Sequence, residues 1–396
     1  MRPVFVFRLV GPILVVFGCL ALAPLGSGSA DFGAPLPGLT AAEIDQFNAG
    51  KTEFSAVETI AEGVGPLFND VSCANCHSVP MVGGGSARLE TRFGRMKSNG
   101  EFDPMTEFGG SLIQDHGIGA TGTGTCEYLE ESVPRQATVV ARRRTTPLFG
   151  LGLVEAVPDA VFRGIAALQG HDPDGCAGVV AAVTDLTTGR QAVGKFGWKA
   201  QNPNLHQFAG DAYLNEMGIT SPQFPSENCP HGDCAALACN PAPGMNDDGE
   251  GVEEFTDFMR MLSPPPRGPV PVAAVLGELQ FLKIGCANCH VPVLRTGPSA
   301  VAALNNVTFH PYSDFLLHDM GTLGDGITQG MATGKLMRTA PLWGLRSITT
   351  LLHDGRATTV EQAILAHDGQ GRKARDRFTR MTSWEKGQLM AFLGSL

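Results

Sequence analysis

One stretch occurs twice in this chain. Residues 68–77 read FNDVSCANCH and residues 281–290 read FLKIGCANCH. Each copy has a phenylalanine five residues ahead of the first cysteine, then Cys-Ala-Asn-Cys-His. Two thiols so spaced, followed at once by a histidine, form the attachment signal for c-type haem: the thiols make thioethers to the vinyl groups and the histidine ligates iron. Two copies predict two covalently bound haem c groups, one on Cys73, Cys76 and His77 and one on Cys286, Cys289 and His290. A zinc site would need a second Cys/His pair in matching rhythm, and none follows either copy. A redox dithiol has no use for the histidine, which is present both times.

A length of 396 residues allows two or three domains. Charged residues are sparse at 17%, against 50 Gly and 27 Pro, a balance that favours short helices and long loops gathered on a large cofactor. The expected fold class is mainly α: two cytochrome c-like haem domains with long irregular loops and minor β. Ser263-Pro264-Pro265-Pro266 opens the clearest linker, stiff from its prolines. The expected organisation is therefore an export signal over 1–30, an N-terminal haem domain with insertions over 31–262, a Pro-rich linker over 263–275 and a C-terminal haem domain over 276–396. A short helix is expected around 41–46, an irregular glycine-rich loop over 83–124, and an amphipathic closing helix from Thr382 to Leu396.

The export signal is read from Arg2 and Arg8, the apolar run Val10 to Leu25, and the small residues Gly28-Ser29-Ala30. Acylation at Cys19 and an uncleaved anchor are weaker alternatives. Loss of the two arginines takes the net charge from −10 to −12, which disfavours nucleic acid as a partner. The mature chain is expected in the periplasm without a membrane span. Of ten cysteines, four hold haem and Cys19 leaves with the signal. Cys126, Cys176, Cys229, Cys234 and Cys239 remain, which in an oxidising compartment predicts two disulfides and one spare thiol.

A second repeat decides where chemistry should sit. Arg144 to Leu151 reads RTTPLFGL and Arg338 to Leu345 reads RTAPLWGL. Trp198 stands six residues before Asn204, and His353 six residues before Thr359, each opening a similar helix. In the C-terminal half that helix runs straight into His367, the first choice as sixth ligand of the second iron, with His318, His353, Met320, Met331 and Met337 as rivals. In the N-terminal half the helix ends at Glu216-Met217. A glutamate facing an open iron position is a general acid–base able to move a proton between the oxygens of a peroxide; Met217 as a ligand, or a merely structural Glu216, is the alternative. Met81, Met96 and His116 are further candidates to close the first iron. Arg142, Arg143, Arg144 and Arg338 are candidates for propionate pairing, and the turn His171 to Gly175 has calcium-type ligands.

Paired Cys-x-x-Cys-His motifs, FGWKAQNPNL, NEMGIT, RTAPLWGL and LLHDGRATTVEQAILAH together resemble the bacterial di-haem oxidoreductases of the peroxidase or thiol oxidoreductase kind, a branch of the di-haem cytochrome c peroxidase superfamily. The resemblance spans roughly 45–396. It implies an N-terminal haem that reacts and a C-terminal haem that supplies electrons from a small cytochrome or copper protein. It implies further that Glu216 is the acid–base, that Trp198 lies between the haems, and that His367, fourteen residues after His353, is the sixth ligand. Relatives also form homodimers and hold calcium between the haems. Histidine where many peroxidases have methionine lowers the potential expected of the second haem. Hydrogen peroxide is the expected substrate; an electron carrier without a substrate site, and a di-haem oxidase or oxygenase acting on another substrate, stay open.

Overall fold

The computed structural model describes residues 31–121 and 126–396, so the predicted export segment, with Cys19, lies outside the described residues. The chain is mainly helical with minor β-structure. Its helices are α1 (Ala41–Phe54), α2 (Cys73–Cys76), α3 (Leu151–Glu155), α4 (Asp159–Gln169), α5 (Leu205–Met217), α6 (Glu250–Met261), α7 (Val272–Ile284), α8 (Val360–Ala366), α9 (Arg372–Thr379) and α10 (Ser383–Leu393). No helix among the described residues is long and apolar enough to cross a membrane.

Two crossed helix pairs, α1 on α6 and α7 on α10, frame the two haem motifs. Capping boxes of Thr40 with Glu43 and of Thr382 with Glu385 start α1 and α10. The helix expected over 41–46 continues to Phe54, held by the close packing of Gly50 against α6. A Cβ there would lie 2.1 Å from the Glu254 carbonyl oxygen, and one on Gly277 would lie 2.0 Å from that of Gln388. Four residues on from each glycine, Phe54 packs on Phe258 at 5.0 Å and Phe281 on Phe392 at 5.3 Å. In the fold, then, the counterpart of Phe281 is Phe54. Phe68 lies instead in the short strand Leu67–Phe68 and stacks on His116.

The RTxPL copies come together around the proline-rich segment. Gly150 and Gly344 both take left-handed φ, 72° and 73°, and face Pro264 and Pro265 closely enough to exclude a Cβ. Their N–H groups donate to the carbonyls that close the last helix of each half, Leu262 at 3.2 Å and Leu396 at 2.7 Å. Pro271 caps α7, so residues 272–275 are helix rather than linker. The largest core cluster joins Phe54, Leu148 and Phe258 to Leu294, Phe309, Phe315 and Trp343 across that segment.

The stretch expected as an irregular loop over 83–124 contains ordered strands. Strand Leu89–Met96 pairs antiparallel with Phe102–Asp103 on one side and Val139–Arg144 on the other. On the inward face of this sheet stand Glu90, Arg92 and Arg143, charged residues where a half-buried strand ordinarily shows apolar ones. Disulfides join Cys126 to Cys239 and Cys229 to Cys234, leaving Cys176 as a buried thiol. In the turn at 171–175, Asp172 accepts from Asn288 Nδ2 at 3.2 Å and Asp174 from Arg377 at 2.6 Å, tying it to the second haem motif.

Candidate functional site

The first motif opens into a cavity of about 260 Å³ lined by Cys73, Cys76, His77, Trp198, Glu216 and Met217. Helix α2 is a single turn, so thiols three apart face the same way and His77 follows as its C-cap. His77 Nδ1 lies 3.0 Å from the Gly84 carbonyl oxygen. A proton donated there leaves Nε2 as the unprotonated, ligating nitrogen. Burial pushes the imidazole down to about 4, so it is neutral at physiological pH. Burial pushes the Cys73 and Cys76 thiols up, to about 12 and about 11, opposite to the depressed values of a redox-active dithiol.

Glu216 sits in the last turn of α5, which Asn204 caps by accepting from Gln207 N at 2.8 Å. Its Oε2 accepts from Asn69 Nδ2 at 2.8 Å. Burial, then the neighbouring Glu90 carboxylate, pushes Glu216 up to about 7. The sheet brings Glu90 and Arg92 to the same cavity; neither stood out in the sequence, because an inward-facing charge pair in a strand looks like a solvated one. Met81, Met96 and His116 are exposed and do not line this cavity. Among the described residues that line it, His77 is the only imidazole.

At the second motif the two imidazoles face one another. His367 is the C-cap of α8, and its ring centroid lies 6.4 Å from that of His290, with the planes at 56°. Two metal–nitrogen bonds of about 2 Å plus the two ring radii fill that span. His290 Nδ1 lies 2.9 Å from the Tyr312 carbonyl and His367 Nδ1 2.7 Å from that of Ala363, so each ring keeps Nε2 for a metal. Burial lowers both rings, His290 to about 4. His318 has both nitrogens engaged, by Asp314 at 2.9 Å and Gln370 at 2.6 Å. His353 is elsewhere, against Trp198, and Met331 is exposed. Cys289, Asp314 and His318 place three donor atoms within 4.8 Å, one fewer than a structural zinc takes.

Trp198, which lines the first cavity, donates from Nε1 to the Arg144 carbonyl at 2.8 Å. Of the four arginines singled out, Arg142 is exposed on the outer face of its strand. Arg143 is paired with Asp325, and Arg338 donates to the Gly197 carbonyl. Arg144 is buried beside the first cavity, and its Nε has no hydrogen-bond partner among the described residues. A buried cation with an unmet donor fits an anionic group such as a haem propionate. Together with the Cys73 and Cys76 thiols and the held imidazole of His77 it makes the first site suited to haem, as the thiols and facing imidazoles do at the second.

Residues 122–396 match the family described as "Di-haem oxidoreductase, putative peroxidase". No curated protein matches. Among solved structures, Kuenenia stuttgartiensis hydrazine synthase is 15% identical over all of both chains, with a TM-score of 0.40. A MauG-like protein associated with microbial copper homeostasis is 15% identical over 89% of each chain, TM-score 0.39. The diheme peroxidase BthA from Burkholderia thailandensis is 16% identical over 72% of this chain and 93% of its own, TM-score 0.31. These are distant likenesses.

Proposed function

This chain belongs to the di-haem oxidoreductase family, and from that membership we propose that it reduces hydrogen peroxide in the periplasm at the site of His77 and Glu216. Electrons reach that site through the second one. Haem held covalently by Cys73 and Cys76, and by Cys286 and Cys289, supplies redox-active iron at each.

The observation that carries the reading is the asymmetry of the two sites: paired imidazoles at His290 and His367, but a lone imidazole, His77, sharing its cavity with the half-buried carboxyl of Glu216. Paired imidazoles hold a centre that relays electrons and binds nothing else. A single one leaves room for a small oxidant. Glu216, half-buried and pushed up to about 7, holds a proton and moves it between the two oxygens of peroxide. Phe54, Leu148 and Phe255 give that space an apolar wall. Trp198 is the stepping point between the sites. Electrons enter from a small cytochrome or copper protein, for which the exposed Val275, Leu279 and Leu282 of α7 offer an apolar face leading directly to Cys286.

Spin-resonance spectra of the oxidised and half-reduced protein test this. A high-spin signal at either level supports an open first iron. Two low-spin signals at both levels would support the rival reading, an electron carrier closed by Met217, which lines the same cavity. Peroxide turnover at near-parental rates in Glu216→Gln would remove Glu216 from the acid–base role.

A further inference from the structure

The two haem motifs differ at a point that the fold uses. Asn69 and Asp70 stand ahead of the first; at the same distance ahead of the second are Leu282 and Lys283. Those two belong to helix α7, Leu282 exposed and Lys283 bonded to Glu385 at 3.4 Å. Asn69 and Asp70 are turned instead toward the end of α5. Asn69 N donates to the Glu216 carbonyl at 2.7 Å, and Asp70 N to the same oxygen at 3.2 Å. Asn69 Nδ2 donates to Glu216 Oε2 at 2.8 Å. Three hydrogen bonds thus converge on one residue, two on its backbone and one on its side chain.

The buried amide of Asn69 is not free to turn over. Its Oδ1 accepts from Asp115 N at 2.8 Å. A backbone N–H can only donate, so the amide oxygen faces Asp115 and the amide nitrogen faces Glu216. The Asn69 carbonyl accepts from Arg88 NH2 at 3.0 Å, and Arg88 is also paired with Asp70. Asp70 in turn accepts from Val71 N at 2.7 Å and from Asn75 Nδ2, inside the haem motif, at 2.6 Å. One bracket therefore ties the turn of Cys73 and Cys76 to the Glu216 side chain. Because Oε2 receives an N–H, a proton carried by Glu216 sits on Oε1.

We propose that Asn69 is a positioning residue that holds the Glu216 carboxyl by Oε2. It leaves Oε1 as the atom that takes a proton from one oxygen of hydrogen peroxide and returns it to the other. This rests on the peroxide reading and deepens it. The proton returned is the one taken, so the carboxyl ends as it began. Completing two waters takes two electrons from the donor protein and two protons from solvent. Without Asn69 the side chain spreads over its rotamers, and the short reach that proton transfer needs is no longer fixed. The second site relays electrons and moves no proton, and its copy of the motif has leucine and lysine at these places.

Haem-loaded Asn69→Asp and Asn69→Ala test the bracket, with covalent haem counted by mass spectrometry and rates taken per loaded chain. Aspartate keeps the size of asparagine and the oxygen that accepts from Asp115, but it has no N–H for Glu216. Both variants should lose about tenfold to a hundredfold in kcat for peroxide, with KM little changed, the split expected of a group aligned for the transition state. In a Glu216→Gln background the same substitutions should cost less than about threefold further, because Asn69 acts only through that carboxyl. Near-parental kcat in Asn69→Asp overturns the proposal, since packing and the Asp115 bond would then suffice. An equal loss with and without the Glu216 carboxyl also overturns it. If Glu216→Gln itself keeps its turnover, the peroxide reading fails instead. Thermal midpoints of the two single variants and the double then decide the contact: shifts that simply add would show that Asn69 does not hold Glu216.

Discussion

Trp198 and His353 meet edge to face, ring centroids 6.2 Å apart and planes at 73°. They are counterparts in the internal repeat, each six residues before the residue that caps its helix, Asn204 or Thr359. The backbone repeats the relationship reciprocally: Arg144 N donates to the His353 carbonyl at 2.7 Å, and Arg338 N to the Trp198 carbonyl at 2.9 Å. The two halves are thus joined by exchanged copies of one contact, and the indole stands at the exchange point. Trp198→Phe keeps an aromatic ring but loses the bond from Nε1 to the Arg144 carbonyl. It should cost about 1 kcal/mol of stability and slow electron passage from the second site to the first, read by rapid-mixing absorbance after half-reduction. Unchanged passage would place the route elsewhere.

Asp325 is fully buried and pairs with two cations, Arg143 at 2.7 Å and Lys199 at 2.8 Å. Removing a single partner from a buried ionic cluster leaves uncompensated charge, which costs about 3–5 kcal/mol. Asp325→Asn should lower the thermal midpoint accordingly. Arg143 also reaches the cavity of Glu216, so the variant should perturb the first site as well as the fold. A melt within a degree or so of the parent would show that the cluster is hydrated.

The helix crossings make a sharper contrast. Gly277→Ala forces a Cβ against the Gln388 carbonyl, whereas Gly387, in α10 beside that crossing, has open space around its missing Cβ. Overpacking a backbone contact costs about 1–3 kcal/mol or more. Gly387→Ala should instead stabilise by about 0.4–1 kcal/mol, because it restricts the unfolded chain. Thermal melts of the two variants should move in opposite directions.

These crossings also show what could be read from the sequence. Capping residues and haem motifs are local chemistry, so the starts of α5, α8 and α10, the location of His367 at the end of α8, and a count of two disulfides with one spare thiol were all legible. The length of α1 was not legible beyond 46, because its second half is held by the packing of Gly50 against α6, which no local signal announces. The likeness of Phe68 to Phe281 was a coincidence of spacing; packing assigns that place to Phe54. The sheet carrying Glu90 was hidden because its buried face is held by ion pairs, and alternation of apolar with polar residues is the signal by which strands are recognised.

Glu216 links pH to stability with a definite sign. Its folded value, about 7, lies above the ordinary 4.5. Between those two values the folded chain keeps a proton that the unfolded chain has released. Unfolding free energy therefore falls as pH rises through that window and levels off above it. The contribution is fully present below 4.5 and lost above about 7. Denaturant melts at about pH 5 and about pH 8 should show the wild type weaker at the higher pH, and Glu216→Gln, which does not titrate, should lose that part of the difference. An identical pH slope in the variant would show that the carboxyl is solvated.

The second site is tested most directly by changing its ligand without changing its frame. His367 is fixed by its Nδ1 contact with the Ala363 carbonyl, by Arg375 NH1 donating to its own carbonyl at 2.8 Å, and by Gly371, where a Cβ would come 3.1 Å from the ring. Methionine has the length to reach the same metal position, and thioether ligation raises haem potential relative to imidazole. His367→Met should keep a low-spin second centre but shift its reduction upward, measured by spectroelectrochemical titration. His367→Ala should convert that centre to high spin. If the low-spin signal survives in His367→Ala, the opposing ligand lies elsewhere. The 6.4 Å between the His290 and His367 rings would then be a packing distance and not a coordination distance.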